Sequence, residues 1–167
     1  MCFHIILFRF HSTDEEEEFT SLDDYISRMK DDQDTIMYLP GDSLSSIKKS
    51  PILKKYLNSG YEVLLLPDPM DEFTLQHLSE YEKKKVKSIA KDDVNVFGND
   101  DIAKEKQKKL KEMYKPLTDF FKKHLGKKIE KVSISNKLVD EPLFILTSQY
   151  GYSAQMEKVN KHQAMAN

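Results

Sequence analysis

Three short apolar runs rich in β-favouring residues, separated by helix-patterned segments, limit the folds open to this chain. The first covers residues 35–39 (Thr35-Ile-Met-Tyr-Leu39) and ends in the turn signal Pro40-Gly-Asp42. The second covers residues 61–66 (Tyr61-Glu-Val-Leu-Leu-Leu66), and its near-continuous apolar character suits a strand covered on both faces. The third covers residues 86–90, after a lysine cluster from Lys83 to Lys85 that suits a turn. Residues 43–50 and 51–57 read as two short helices, the second opened by Pro51 and closed by Gly60. Residues 69–81 read as a further helix, with Phe73, Leu75 and Leu78 as core candidates. Strands alternating with helices imply parallel pairing through right-handed crossovers. The expected fold class is therefore α/β: a small three-layer α/β/α subdomain with a mostly parallel sheet, followed by a charged helix and an α+β C-terminal segment.

The flanking segments extend this plan. Residues 5–11 read as a short strand or the tail of one, and residues 14–18 as an acidic linker whose like charges repel. Thr20 and Ser21 followed by Asp23 and Asp24 form a helix N-cap pattern, and Leu22, Tyr25, Ile26 and Met29 then make one apolar stripe. Residues 92–101 read as a loop. Residues 102–124 read as a long charged helix, interrupted at Pro116 and stopped by Gly126. Residues 129–135 and 143–147 are expected to be paired strands joined through Asp140-Glu-Pro142, and Ser153 is placed to cap a last helix reaching His162.

Several chemistries lack their residues. The five glycines, at 41, 60, 98, 126 and 151, never cluster as a phosphate-cradling loop requires. The five histidines are scattered without ligand spacing, so no zinc site is expected, and the single cysteine, Cys2, excludes an internal disulfide. No apolar run approaches the ~20 residues that span a bilayer. Asp68, Asp71 and Glu72 form a carboxylate cluster, but acids at a helix N-terminus ordinarily serve the helix dipole.

Charge is uneven along the chain. Residues 1–82 hold 7 Lys/Arg against 17 Asp/Glu, whereas residues 83–128 hold 15 against 7. The stretch from Lys104 to Lys128 thus offers an alternative function as a nucleic-acid-binding module. Interrupting acids and the apolar face formed by Leu110, Met113, Tyr114, Leu117, Phe120 and Phe121 favour a solvated amphipathic helix instead. The segment Tyr150-Gly-Tyr-Ser-Ala-Gln-Met156 sets two aromatics and a methionine around a glycine ahead of a helix. Such residues either bind varied apolar partners or pack in the core.

Longer motifs resemble a known family. Thr20-Ser-Leu-Asp-Asp-Tyr-Ile-Ser-Arg-Met-Lys30, Gly60-Tyr-Glu-Val-Leu-Leu-Leu-Pro-Asp-Pro-Met-Asp-Glu-Phe73, Ser135-Asn-Lys-Leu-Val-Asp-Glu-Pro142 and Thr147-Ser-Gln-Tyr-Gly-Tyr-Ser-Ala-Gln-Met-Glu-Lys158 are similar, in order and spacing, to the heat shock protein 90 family. The resemblance covers about residues 8–166. It implies a segment of an ATP-dependent chaperone, divided as 1–98 (end of the middle domain), 99–126 (connecting helical region) and 127–167 (start of the C-terminal domain). It implies no catalytic, cofactor-binding or metal residue in this chain, since ATP and magnesium belong to parts of the full-length protein outside it. The implied partners are client proteins and co-chaperones, without nucleic acid or membrane; the full-length protein is implied to be a homodimer and this chain a monomer.

The family places a client-contacting element at the segment matching residues 152–163, so the implied client-binding residues are Tyr152 and Met156. Tyr152 stands where the family usually has tryptophan, and Asn160 where it has methionine. Losing one methionine side chain removes roughly 1–2 kcal/mol of apolar contact at about 25 cal/mol per Å². Residues 1–7 depart from the family pattern, and the expectation is a piece of a longer polypeptide. Asp23-Asp-Tyr25, Gln33-Asp34, Ala90-Lys91 and Ser148-Gln-Tyr-Gly151 lie closer to endoplasmic-reticulum relatives than to cytosolic ones. Either compartment fits the family, and these residues lean towards the endoplasmic reticulum lumen.

Overall fold

The computed structural model describes residues 7–15, 18–91, 101–135, 138–146 and 153–165. The chain divides into two compact units, one formed by Met1–Val94 with Leu138–Asn167 and the other by Asn95–Lys137. Residues after 137 group with the first unit.

The first unit is built on a five-stranded sheet. Its strands are β1 (His11–Ser12), β2 (Thr35–Pro40), β3 (Leu64–Leu66), β4 (Glu80–Tyr81) and β5 (Lys84–Ser88), in the order β1-β3-β2-β5-β4. The central β2 runs parallel to both β3 and β5, pairing Tyr38 with Leu64 and Ile36 with Val86. The short outer strands β1 and β4 are antiparallel. A mostly parallel sheet needs cover on both faces. Ile36, Tyr38, Leu64, Leu66 and Val86 share one face with Leu22 and Tyr25 of α1 (Leu22–Arg28) and Leu75 of α4 (Pro69–His77). Alternation along the strands turns Met37, Leu39 and Leu65 the other way. There the buried Ile47 of α2 (Leu44–Lys48) and Ile52, Leu53 and Tyr56 of α3 (Pro51–Asn58) complete the third layer.

Local chemistry sets the boundaries. Ser21 caps α1 through a capping box, its hydroxyl accepting from Asp24 N while the Asp24 carboxylate accepts from Ser21 N. Ser43 does the same for α2 with Ser46. After α3 the chain turns at Gly60, whose φ of 68° suits glycine and lets Lys30 Nζ approach to 3.2 Å of where a Cβ would stand.

Three expectations are corrected. The helix expected over residues 69–81 ends at His77, and Tyr81 instead pairs with Lys84 across a two-residue hairpin turn. That turn puts Glu82 and Lys83 at φ 46° and 62°, positive values usually supplied by Asn-Gly, so the sequence carried no hairpin signal there. The third strand is accordingly Lys84–Ser88 rather than residues 86–90. The paired strands expected at residues 129–135 and 143–147 are not strands among the described residues. Among the described residues their β-favouring side chains have no ladder partner, and Ile145 is 86% exposed.

The second unit contains α5 (Asp101–Met113), α6 (Lys115–Leu125) and a 3-10 turn, Gly126–Lys128. The break falls at Tyr114, with Pro116 in the first turn of α6, and Gly126 ends α6 at φ 53°. No residue of α6 is buried, and Met113, Leu117 and Phe120 lie exposed. The final helix, α7 (Ala154–Met165), belongs to the first unit.

Candidate functional site

Helix α7 carries one of the two sequence-predicted contact residues, and its N-terminal half is seated on the carboxyl end of the parallel sheet. Asp42 follows β2 and Pro67 follows β3. Lys158 pairs with Asp42, and Gln155 Nε2 donates to the Pro67 carbonyl at 2.8 Å. In open α/β sheets the crevice outside the carboxyl ends of the strands is where ligands bind, at the point where the strand order reverses. Here strand β2 is flanked by β3 and β5, and α7 takes up space at that end of the sheet.

The innermost contact joins α7 to α4. Asp68 caps α4 by accepting from Met70 N at 2.8 Å, with Pro69 at the first helical position. One turn on, Glu72 is 4% exposed. Ser153 Oγ donates to Glu72 Oε2 at 2.6 Å and accepts from Met156 N at 3.1 Å, capping α7 with the same oxygen. The Glu72 carboxylate therefore stands at the N-terminus of α7, where the helix dipole favours an anion. Burial nevertheless pushes its pKa up, against the opposing effects of the Ser153 hydrogen bond and the Lys91 charge. Gln155 is buried, and its Oε1 has no hydrogen-bond partner among the described residues.

Magnitudes show a seat of modest strength. A hydrogen bond to a charged group contributes about 1.5–3 kcal/mol, and an orphaned buried acceptor costs about 1–3 kcal/mol. Burying a methionine adds about 1.5–3 kcal/mol. The exposed Lys158–Asp42 pair adds about 0–1 kcal/mol.

A second polar cluster lies on the opposite end of the sheet. Arg28 engages Glu62 through two nitrogens, Nε to Oε2 at 3.0 Å and NH2 to Oε1 at 2.8 Å, and also donates to Thr20 Oγ1 at 3.1 Å. Ser12 Oγ donates to the same carboxylate. The buried Tyr25 hydroxyl donates to the Glu62 carbonyl at 2.8 Å and accepts from Gln33 Nε2 and Met37 N, both at 3.1 Å. Burial raises the Tyr25 phenol above its ordinary range, so it stays neutral. A shallow depression beside these residues is lined by Thr13, Asp14, Lys30 and Tyr61. Because Glu62 already engages the Arg28 guanidinium, the cluster reads as a tie between α1 and the sheet rather than an anion site.

Residues 5–167 match the family described as Hsp90 protein. The chain belongs to the Hsp90 family. It is 40% identical to an endoplasmin homolog of Arabidopsis thaliana over 96% of this chain and 19% of the relative. It is 41% identical to the chloroplastic heat shock protein 90-5 of Arabidopsis thaliana over 95% of this chain and 20% of that relative. An endoplasmin homolog of Hordeum vulgare is 42% identical over 96% of this chain and 19% of the relative. The chain thus spans about a fifth of the length of these curated relatives.

Within this Hsp90-family segment the two predicted contact residues fare differently. Tyr152 lies outside the described residues. Met156 is 7% exposed, buried within the first unit to which α7 belongs. Asn160 is half-buried. Glu72, grouped in the sequence with Asp68 and Asp71 as a dipole acid, lies in the first turn of α4 as expected and is also the partner of Ser153. A signal was present: Glu72 precedes the buried Leu75 by three residues and so falls on the buried stripe of α4. Gln155 and Pro67 carried no such signal. The basic stretch expected as an alternative nucleic-acid surface forms α5 and α6, where Glu105 pairs with Lys109.

Proposed function

We propose that this chain is a segment of an ATP-dependent molecular chaperone that assists folding by binding unfolded or partly folded clients. The observation that carries the reading is the Hsp90-family match along residues 5–167. In this reading nucleotide binding and hydrolysis belong to other parts of the full-length homodimer, co-chaperones act on that assembly, and the segment supplies scaffold and a client contact at Tyr152 and Met156. The relatives named endoplasmin support a place in the endoplasmic reticulum lumen, beside a chloroplastic relative that points to a different organelle.

Two measurements test this. Calorimetric titration with magnesium and ATP is expected to give no tight binding to this chain, and tight binding overturns the assignment of nucleotide chemistry elsewhere. Binding of reduced and alkylated lactalbumin, which cannot refold, is expected to weaken in Met156→Ala. Unchanged binding removes Met156 from the client contact. Fractionation of cells with an antibody to this chain checks the compartment.

A further inference from the structure

We propose that α7 is a releasable latch: docked through Glu72, Pro67 and Asp42, it keeps Met156 buried, and released, it presents that face to a non-native protein. The inference rests on the client-contact reading of Met156 and adds how that contact is regulated. Its basis is the construction of the seat. Met156 is buried, so in the docked arrangement its side chain has little surface to offer. Among the described residues, α7 is held by specific contacts: Ser153 to Glu72, Gln155 to the Pro67 carbonyl and Lys158 to Asp42.

The seat is also imperfect. It buries the carboxyl of Glu72, and it leaves Gln155 Oε1 without a partner among the described residues. Both features cost free energy that release returns, because water then solvates the two groups. The sheet does not depend on α7 for its ladders, since β2 pairs with β3 and β5. Release therefore leaves the α/β/α layers paired. A single oxygen, Ser153 Oγ, both caps α7 and docks it. Asp caps a helix as well as Ser does. Ser153→Asp accordingly keeps the helix capped while setting a second carboxylate against Glu72, which separates docking from helix formation.

The experiment follows amide hydrogen exchange of α7, β2 and β3 on the 167-residue chain together with its affinity for reduced and alkylated lactalbumin. Ser153→Asp is expected to speed exchange in α7 by about tenfold, a like-charge repulsion in a poorly solvated contact being of that order, with β2 and β3 unchanged. The double variant Glu72→Gln/Ser153→Asp is expected to restore slow exchange, because the repulsion is gone and the introduced amide can donate to the introduced carboxylate. Affinity for the unfolded probe is expected to rise in Ser153→Asp and fall again in the double variant. Exchange in α7 that stays at the wild-type rate in Ser153→Asp, or that rises equally in β2 and β3, overturns the latch. Exchange that responds while Met156→Ala leaves probe binding untouched keeps the latch and removes the client reading. Probe binding that depends on Met156 but is equal in wild type and Ser153→Asp keeps the client reading and overturns the latch as its regulator.

Discussion

The two units handle apolar surface in opposite ways. In the first, the side chains of β2 and β3 alternate between two helical layers, and Leu64, Leu65 and Leu66 are all buried. In the second, Met113, Tyr114, Leu117 and Phe120 of the α5 and α6 apolar stripe are exposed, and Phe120 is 54% exposed, in ring contact with Phe121 and His124. Strand pairing therefore distinguishes the units. A parallel strand is stabilised once crossover helices close on both faces. A two-helix unit buries a stripe only against another surface, so its helices rely on local features such as the Glu105–Lys109 pair and the Gly126 stop.

The sharpest way to break this comparison is to truncate one apolar residue in each unit. Leu64→Ala is expected to lower stability by about 2–5 kcal/mol in urea denaturation, as lost transfer energy and a cavity add together. Phe120→Ala is expected to stay within about 0.5 kcal/mol, because an exposed side chain leaves no cavity. Equal costs at the two positions would show that the α6 stripe is covered in solution, and the contrast between the units would fall.

A smaller effect is expected at the tie between α1 and the sheet. Arg28→Ala leaves the Glu62 carboxylate, one-tenth exposed, with Ser12 as its remaining described hydrogen-bond donor. Removing one partner of a buried pair costs ~3–5 kcal/mol, and the partly exposed Arg28 side chain discounts this to about 2 kcal/mol. Glu62→Gln is expected to cost less, since no charge is stranded. The reverse ranking in thermal denaturation would mean that Arg28 acts through packing of its stem rather than through its charge.

These contrasts explain what the sequence disclosed. The α/β plan was legible because the runs at residues 35–39 and 61–66 alternate with capped helical stripes, and both are local signals. The break between α5 and α6 was legible from Pro116 for the same reason. The β4–β5 hairpin was not, since Glu82 and Lys83 adopt positive φ without glycine or asparagine and only tertiary pairing holds them there. The segments at 129–135 and 143–147 have the propensity of strands but no ladder, a property of partners rather than of residues. At the candidate site, Met156 and the Ser153 cap could be named from sequence. The seat could not, because Glu72, Pro67 and Asp42 lie 81, 88 and 116 positions away from the residues they meet.

Acidity gives a milder perturbation of the same seat. Burial raises the pKa of Glu72 in the folded chain while the Ser153 hydrogen bond opposes it, so the folded state favours the protonated carboxyl, and this contribution to stability is full below the ordinary glutamate range and is lost as pH rises through the raised value. The groups facing Glu72 are Ser153 from α7 and Lys91 after β5, with Asp71 beside it in α4 and Asp68 at the cap; burial and the Asp68 charge push Asp71 up as well. Protection of α7 amides, corrected for intrinsic exchange, is expected to increase as pH falls from neutrality, and Glu72→Gln is expected to flatten the trend. A trend that persists in Glu72→Gln would assign it to Asp71.

The smallest expected effect concerns the outer rim of the seat. Lys158 and Asp42 are both more than half exposed, as is Asp140 opposite Lys54. Pairs of this kind contribute about 0–1 kcal/mol and weaken further in salt. Lys158→Ala is therefore expected to change α7 protection less than threefold, and raising sodium chloride to about 1 M, where the Debye length is near 3 Å, is expected to reproduce that change in wild type. The buried Ser153–Glu72 contact is screened far less, so Ser153→Ala is expected to keep its larger effect at either salt concentration. If high salt instead freed α7 as fully as Ser153→Ala does, the rim would hold the helix, and the inner contact would serve only to cap it.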